Sequence, residues 1–338
     1  MTSRPIGERA ALAAVIVACA VWGASFLLAK VALEELPIGH LVLWRFAIAA
    51  AVLLPLVLRR GLPLRRDLPR FAVSGLLCVP ITFLPQFEGL ARTTVASASL
   101  LVGTGTPLLA VASALFRRER PGTRGWIAVT LSCLGLAIMV GVPGPGRSWL
   151  GDTLVFVSMV TTTAWVLVMM PLVRRYGGLA ASAWTVTLGA IFQIPVAWLD
   201  GPPAIPSSLF GWGALLGLGV ACTAGSYALW NLGLERVPPS RAGVYLNLEP
   251  VVGAALGVAL LHDAVTAGLL AGGGLVLAAS LLASVGAPSS SADTAARGRG
   301  RPLRDLRVTA ALRPGPERFR RAAPFDRVHG REQRGVVT

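Results

Sequence analysis

Charge is scarce in this sequence, and most of it has one sign. Only 14% of its 338 residues are Asp, Glu, Lys or Arg, whereas soluble domains carry about 25%. Hydrophobic residues make up 54% and mean hydropathy is +0.67, which together describe an integral membrane protein rather than a soluble one. Histidine is also rare: His40, His262 and His329 lie far apart and none belongs to an H-E-x-x-H motif, so a zincin-type site is excluded. No G-x-x-x-x-G-K-[ST] loop is present, which removes nucleotide hydrolysis by that route. Cys19, Cys78, Cys133 and Cys222 sit singly in apolar runs, without the C-x-x-C spacing of a metal or redox centre; they read as small buried apolar residues. These absences argue against an enzyme and against any metal or cofactor. The 31 basic residues outnumber the 16 acidic ones, giving a net charge of +15. They lie between apolar segments and in the C-terminal stretch, not interleaved with aromatics on a soluble face, so no nucleic acid is expected as a partner.

What the chain has in abundance is apolar runs of bilayer-crossing length. Ten are expected, over residues 10–31, 38–58, 71–90, 95–116, 125–142, 151–173, 180–199, 209–232, 242–261 and 266–286, with the lipid bilayer as their surroundings. Ala18-Cys19-Ala20 resembles a signal cleavage site after Arg4 and Arg9, but the apolar run continues through Leu28, too long for a signal core, so a retained first helix is expected. With the N-terminus cytoplasmic, Arg59, Arg60, Arg65, Arg66, Arg70, Arg117, Arg118, Arg120, Arg124, Arg174, Arg175, Arg236 and Arg241 fall inside, and Lys30, Arg92 and Arg147 outside. This positive-inside pattern fits a multi-pass protein of the cell membrane with both termini cytoplasmic.

The chain is duplicated. Placing Pro107 on Pro250 also aligns Ser97 with Ser240, Thr123 with Thr266 and Gly125 with Gly268. Five crossings per copy put the second copy in the membrane upside down, and the loops agree: the basic loop 59–70 corresponds to the uncharged-to-acidic loop around Asp200, while the Lys30 region corresponds to Arg174-Arg175. The expected fold class is therefore all-α integral membrane, ten transmembrane helices as two inverted-topology five-helix repeats. The domains are a cytoplasmic N-terminus at 1–9, a first repeat at 10–142, a second at 151–286 and a tail at 287–338. That tail is rich in Arg, Pro, Ser and Gly. It is expected to be disordered in the cytoplasm, where it can adhere to anionic headgroups.

Trp22-Gly23-Ala24-Ser25-Phe26 followed by Lys30, then Pro37, Arg45-Phe46, the Pro107 helix ending at Glu119, and YLNLEPVVGAALGVALL from Tyr245 to Leu261 together resemble the drug/metabolite transporter superfamily, EamA type. The resemblance spans both copies. It implies a carrier of small metabolites or drugs that works by alternating access, most often outward. One departure is visible: the family usually closes the fourth helix of each copy with glutamate, and the second copy has His262-Asp263 instead.

Glu249 is the leading site candidate, because an ionised carboxylate in mid-span costs about 2.5 to 3.5 kcal/mol on insertion scales and is kept there for a reason. On a continuous helix it shares a face with Tyr245 and Gly253, and Gly253-x-x-x-Gly257 extends that face as a packing stripe. Thr106 stands at the matched place in the first copy, and with Asn247 and Glu249 it is expected to border a central cavity. Pro107 and Pro250 each interrupt a helix and free a carbonyl. Arg45 is the one basic residue deep in a span. It lies some 10 Å below the outer surface at 1.5 Å per residue, so it either reaches toward Glu249 or snorkels outward. Trp22, Trp44, Gln86, Tyr227 and Asn231 are further candidates for the cavity wall. Gly213-x-x-x-Gly217 and Gly268-x-x-x-Gly272 are expected to pack helices.

The function these features favour is a secondary transmembrane transporter of small organic solutes, proton-coupled through Glu249. The competing reading is a membrane scaffold or sensor acting through the basic tail, and an intramembrane enzyme lacks a placed nucleophile and base.

Overall fold

The computed structural model describes residues 7–58, 61–117, 122–141 and 144–285. Glu119, Arg4, Arg59, Arg60, Arg118, Arg120, the ends of the expected repeats at Val142 and Gly286, and the tail 287–338 lie outside the described residues.

Among the described residues every regular element is helical, as a bilayer demands when backbone amides must be satisfied within their own segment. Ten passages follow one another: α1 (Glu8–Ala32), α2 (Ile38–Leu58), α3 (Leu68–Leu76, Leu77–Phe83 and Leu84–Arg92), α4 (Val95–Val102 and Gly105–Arg117) and α5 (Thr123–Gly141) form the first half. The second half is α6 (Trp149–Tyr176), α7 (Gly178–Leu199), α8 (Leu209–Leu216, Gly217–Gly225 and Ser226–Leu234), α9 (Pro239–Tyr245 and Leu248–Leu261) and α10 (Ala267–Val285). Eight passages are long and apolar enough to cross a membrane, and the other two contain the shorter apolar helices Thr123–Met139 and Ala267–Ala283. The chain is an all-α membrane protein of two five-helix halves.

The interruptions are themselves duplicated. In α3 and α8 the middle segments, Leu77–Phe83 and Gly217–Gly225, wind as π-helix, a form that turns up at functional sites. In α4 and α9 the helix breaks at Gly103-Thr104 and at Leu246-Asn247. The prolines Pro107 and Pro250 act at a distance of one turn. A proline lacks the N–H that would bond the carbonyl four residues back, so the breaks fall at Gly103 and Leu246 and not at the prolines. The amide of Glu249 takes up the released Leu246 carbonyl at 3.1 Å. This break also separates Tyr245 from Glu249, so the shared face expected for a continuous helix is limited to Glu249 and Gly253.

The two halves are interleaved: α2 packs on α7, α5 on α10, α4 on α9, the last segment of α3 on α6 and the last segment of α8 on α1. Glycine makes the closest approaches. A Cβ at Gly89 would lie 2.6 Å from the Gly151 carbonyl and 2.9 Å from the Val155 amide, and a Cβ at Gly233 would lie 2.9 Å from the Ala11 carbonyl and 3.3 Å from the Val15 amide. The same contact is thus made twice with the halves exchanged. Two expectations are corrected. Gly213-x-x-x-Gly217 is not a packing stripe: Gly213 has open space where a Cβ would go and Gly217 meets only the end of Leu28. Cys133 is exposed, whereas Cys19, Cys78 and Cys222 are buried.

Candidate functional site

The break in α9 sets Glu249 in the first turn of Leu248–Leu261. Its backbone carbonyl is pressed against Gly23 of α1, where a Cβ would come within 2.5 Å of it. One turn on, Gly253 lies against Gly23 and Ser99, so α9 is held between α1 and α4. The Glu249 side chain is half-buried. Among the described residues its carboxylate forms no hydrogen bond or ion pair, and its oxygens are not sealed by protein atoms. Asn247 is buried and its Nδ2 donates to the Val244 carbonyl at 2.8 Å, across the break.

An aromatic group stands beside this segment. Trp22, one residue before Gly23, meets the ring of Tyr227 edge-on at 6.0 Å and that of Trp230 at 5.5 Å, and Tyr245 packs into the same cluster. Arg45 of α2 lies nearby, 4% exposed. Its Nε donates to Thr223 Oγ1 at 3.0 Å, and its guanidinium carbon lies 4.8 Å from the ring centre of Phe83 and 5.5 Å from those of Phe46 and Phe87. Neither of the two alternatives for Arg45 holds. It does not snorkel, and it forms no ion pair with Glu249, although both Glu249 and Tyr227 are close enough for charge to be felt at the guanidinium.

The other candidates separate. Trp44 donates from Nε1 to the Ala204 carbonyl at 2.8 Å, which ties it to the α7–α8 loop. Asn231 folds back on its own helix, Nδ2 to the Tyr227 carbonyl at 2.7 Å, with its Oδ1 against Gly178. Thr106 is half-buried on α4 and Gln86 is buried on α3; no hydrogen bond or ion pair joins either to Glu249. The structure therefore assembles Trp22, Tyr227, Tyr245, Arg45, Asn247 and Glu249 around the α1–α8–α9 junction and sets the remaining four apart. Phe83, Phe87 and Thr223 are the additions that sequence reasoning lacks. The Phe83-x-x-x-Phe87 spacing, which puts two rings on one helix face, was the available signal.

The two loop faces differ. On the face that joins α1–α2, α3–α4, α5–α6, α7–α8 and α9–α10, charged groups clamp helix ends, Lys30 within the first half and the acids across the halves. Lys30 Nζ donates to the carbonyls of Leu90 at 2.7 Å and Thr93 at 2.9 Å. Asp200 accepts the Gly39 amide at 2.6 Å and Asp263 the Ala96 amide at 2.8 Å. Glu35 accepts the amides of Ser207 and Ser208 at 2.7 and 3.0 Å and both hydroxyls. Those bonds, the Ser208 hydroxyl first, pull the Glu35 carboxyl down to about 2. A buried Arg147–Asp152 pair, with Asp152 also accepting from Thr93 at 2.6 Å and Ser97 at 2.9 Å, completes the set. On the opposite face Asp67 meets Arg175 at 3.1 Å and the Tyr176 hydroxyl at 2.5 Å, and a cavity of about 700 Å³ opens between α3, α4 and α6, lined by Arg70, Leu108, Ala112, Leu115, Thr163 and Leu167 among others. Among the described residues no group of His, Cys, Asp and Glu is arranged to hold a metal ion.

Comparison with known proteins adds the following. The model of the EamA-like transporter family matches residues 9–141 and again 149–285. An uncharacterized transporter of Archaeoglobus fulgidus is 27% identical over 68% of this chain and 82% of its own length. The uncharacterized inner membrane transporter YicL of Salmonella typhimurium is 25% identical over 80% and 94%, and a protein of Escherichia coli named biotin transporter is 26% identical over 80% and 91%. A solved crystal structure superposes with a TM-score of 0.59 at 20% identity, covering 81% of this chain and 96% of the other, which speaks to the fold alone.

Proposed function

The chain belongs to the EamA-like transporter family, with one match in each half, and from that premise we propose that this membrane transporter is a proton-coupled carrier that exports a small organic solute from the cytoplasm by alternating access. Its relatives are named as transporters, not as enzymes. One of those names specifies a vitamin-sized organic molecule, which supports a cargo of that size.

The observation that carries the proposal is Glu249. A half-buried acid with no fixed partner among the described residues can take up and release a proton, and intramembrane carboxylates of this kind serve as proton relays. Its carbonyl sits at the α1–α9 seam, so a change of charge there acts on a contact between the halves.

Alternating access draws support from an asymmetry. Twelve residues beyond the Ala11–Gly233 contact on α1 stands Gly23, tight on α9; twelve beyond the Gly151–Gly89 contact on α6 stands Thr163, which lines the cavity facing α4. The α1–α9 seam is closed and its counterpart is open, as expected of inverted repeats caught in one of two exchangeable states. With the basic loops cytoplasmic, the clamped face is outside and the cavity opens inward.

Protein reconstituted in vesicles with an internal pH dye tests the coupling. Solutes are screened for solute-dependent proton movement. Movement that is lost in Glu249→Gln while solute counterflow continues is the expected result; proton movement unchanged in that variant rejects the acid's role.

A further inference from the structure

Resting on the carrier reading above, we propose that Arg45 recognises the carboxylate of the cargo, and that the cargo is a small monocarboxylate with an apolar, ring-sized body. A guanidinium has five N–H donors. At Arg45 one of them is used, by Thr223. The four on the terminal nitrogens find no partner among the described residues and, unlike Nε and Nη1 of Arg147, are not sealed off by protein atoms. A cation taken this far out of water without a counter-ion is costly, and the three phenyl faces around it offset only part of that cost.

Helix packing does not require the charge. The position matched to Arg45 in the second half falls at Trp184-Thr185, and there the Thr185 hydroxyl meets the Ser74 hydroxyl at 3.0 Å. A neutral hydrogen bond suffices to join α7 to α3. The arginine on α2 therefore answers a need that the fold does not impose.

The geometry of the ligand follows from the donors. A planar fork fits a carboxylate or a phosphate through two parallel bonds. With a single cation in the group and the Glu249 carboxylate within electrostatic range, nothing balances a second negative charge, so a carboxylate fits and a phosphate dianion does not. Half-buried Phe83 beside the guanidinium, and the half-buried rings of Tyr227 and Trp22 that meet edge-on, offer aromatic surface to the rest of the molecule.

The test uses purified full-length protein and thermal stabilisation. Probes are benzoate, 3-phenylpropanoate, indole-3-acetate and biotin, each paired with its neutral amide, beside inorganic phosphate and phenyl phosphate. At least one acid is expected to raise the melting temperature where its amide does not. Arg45→Gln should weaken that acid by at least about tenfold, the scale of one charge-assisted hydrogen bond, and Arg45→Lys by less. The acid-against-amide comparison needs only the wild type, so it stands even if a variant fails to fold. The proposal is overturned if no acid stabilises, if amides or phosphates do as well, or if Arg45→Gln keeps wild-type affinity. Counterflow in vesicles separates the two readings. Exchange of a neutral solute that survives Arg45→Gln overturns the carboxylate assignment and leaves the carrier, whereas tight acid binding without any exchange upholds the assignment and overturns the carrier.

Discussion

Gly23 on α1 and Glu249 on α9 are in contact through backbone alone: the space a Cβ would need at Gly23 is occupied by the Glu249 carbonyl at 2.5 Å, the Val252 Cβ at 2.9 Å and the Gly253 amide at 3.0 Å. The neighbours are two main-chain atoms and a β-branched stem, none of which can swing aside. Gly23→Ala should therefore separate the seam at a cost of about 1 to 3 kcal/mol. A lower melting temperature together with loss of flux is expected. Gly213→Ala, with open space at its Cβ, is the control that should change neither.

Glu35 gives a pH-dependent prediction. Its carboxyl, ordinarily near 4.5, is lowered to about 2 by hydroxyl and amide donors from Ser208 and Ser207. A depressed value means that the ionised form is bound more tightly in the folded protein, so this contribution is complete above about 4.5 and fades as pH falls toward 2. The difference in melting temperature between wild type and Glu35→Gln should be constant from neutral pH down to about 5 and shrink below that. A difference that grows on acidification contradicts the clamp.

The side chains of Arg147 and Asp152 are each 2% exposed. Removing one partner leaves the other charge buried, and such losses run to about 3 to 5 kcal/mol. Asp152→Ala also takes the acceptor from Thr93 and Ser97, so it should be among the most destabilising single changes in unfolding assays. The double change Arg147→Met with Asp152→Leu should recover much of the loss, because no orphaned charge remains.

Deleting residues 287–338 discriminates between the carrier and a role seated in the basic tail. Flux in vesicles is expected to persist after the deletion. Its disappearance, with the truncated protein still folded, favours the tail.

The helical plan was legible because it depends on local composition. Ala242–Leu261 falls on the expected span to the residue, and the Pro107–Pro250 pairing located both breaks to within one turn. What the sequence did not disclose depends on which helices meet. Asp200 and Gly39, or Asp263 and Ala96, are distant in the chain, and each acid reads as an ordinary loop residue until the partner helix end arrives beside it. Arg45 was visible as an anomaly, but its cage of Phe46, Phe83 and Phe87 was not, since the Phe83-x-x-x-Phe87 spacing shows that two rings share a helix face without showing that α2 brings Arg45 to them. The π segments were equally hidden: Leu77–Phe83 and Gly217–Gly225 have the composition of the helix around them.

The Thr223 hydroxyl links winding to electrostatics. It accepts from Arg45 Nε and donates to the Leu218 carbonyl at 2.8 Å, five residues back, a reach that belongs to a π turn. In an α turn the nearer carbonyl, that of Gly219, would become its partner, and the hydroxyl would swing round α8, taking the guanidinium with it. The pitch of α8 and the direction in which Arg45 points are thus one mechanical variable, so that tightening a single turn of helix redirects a charge on a different helix.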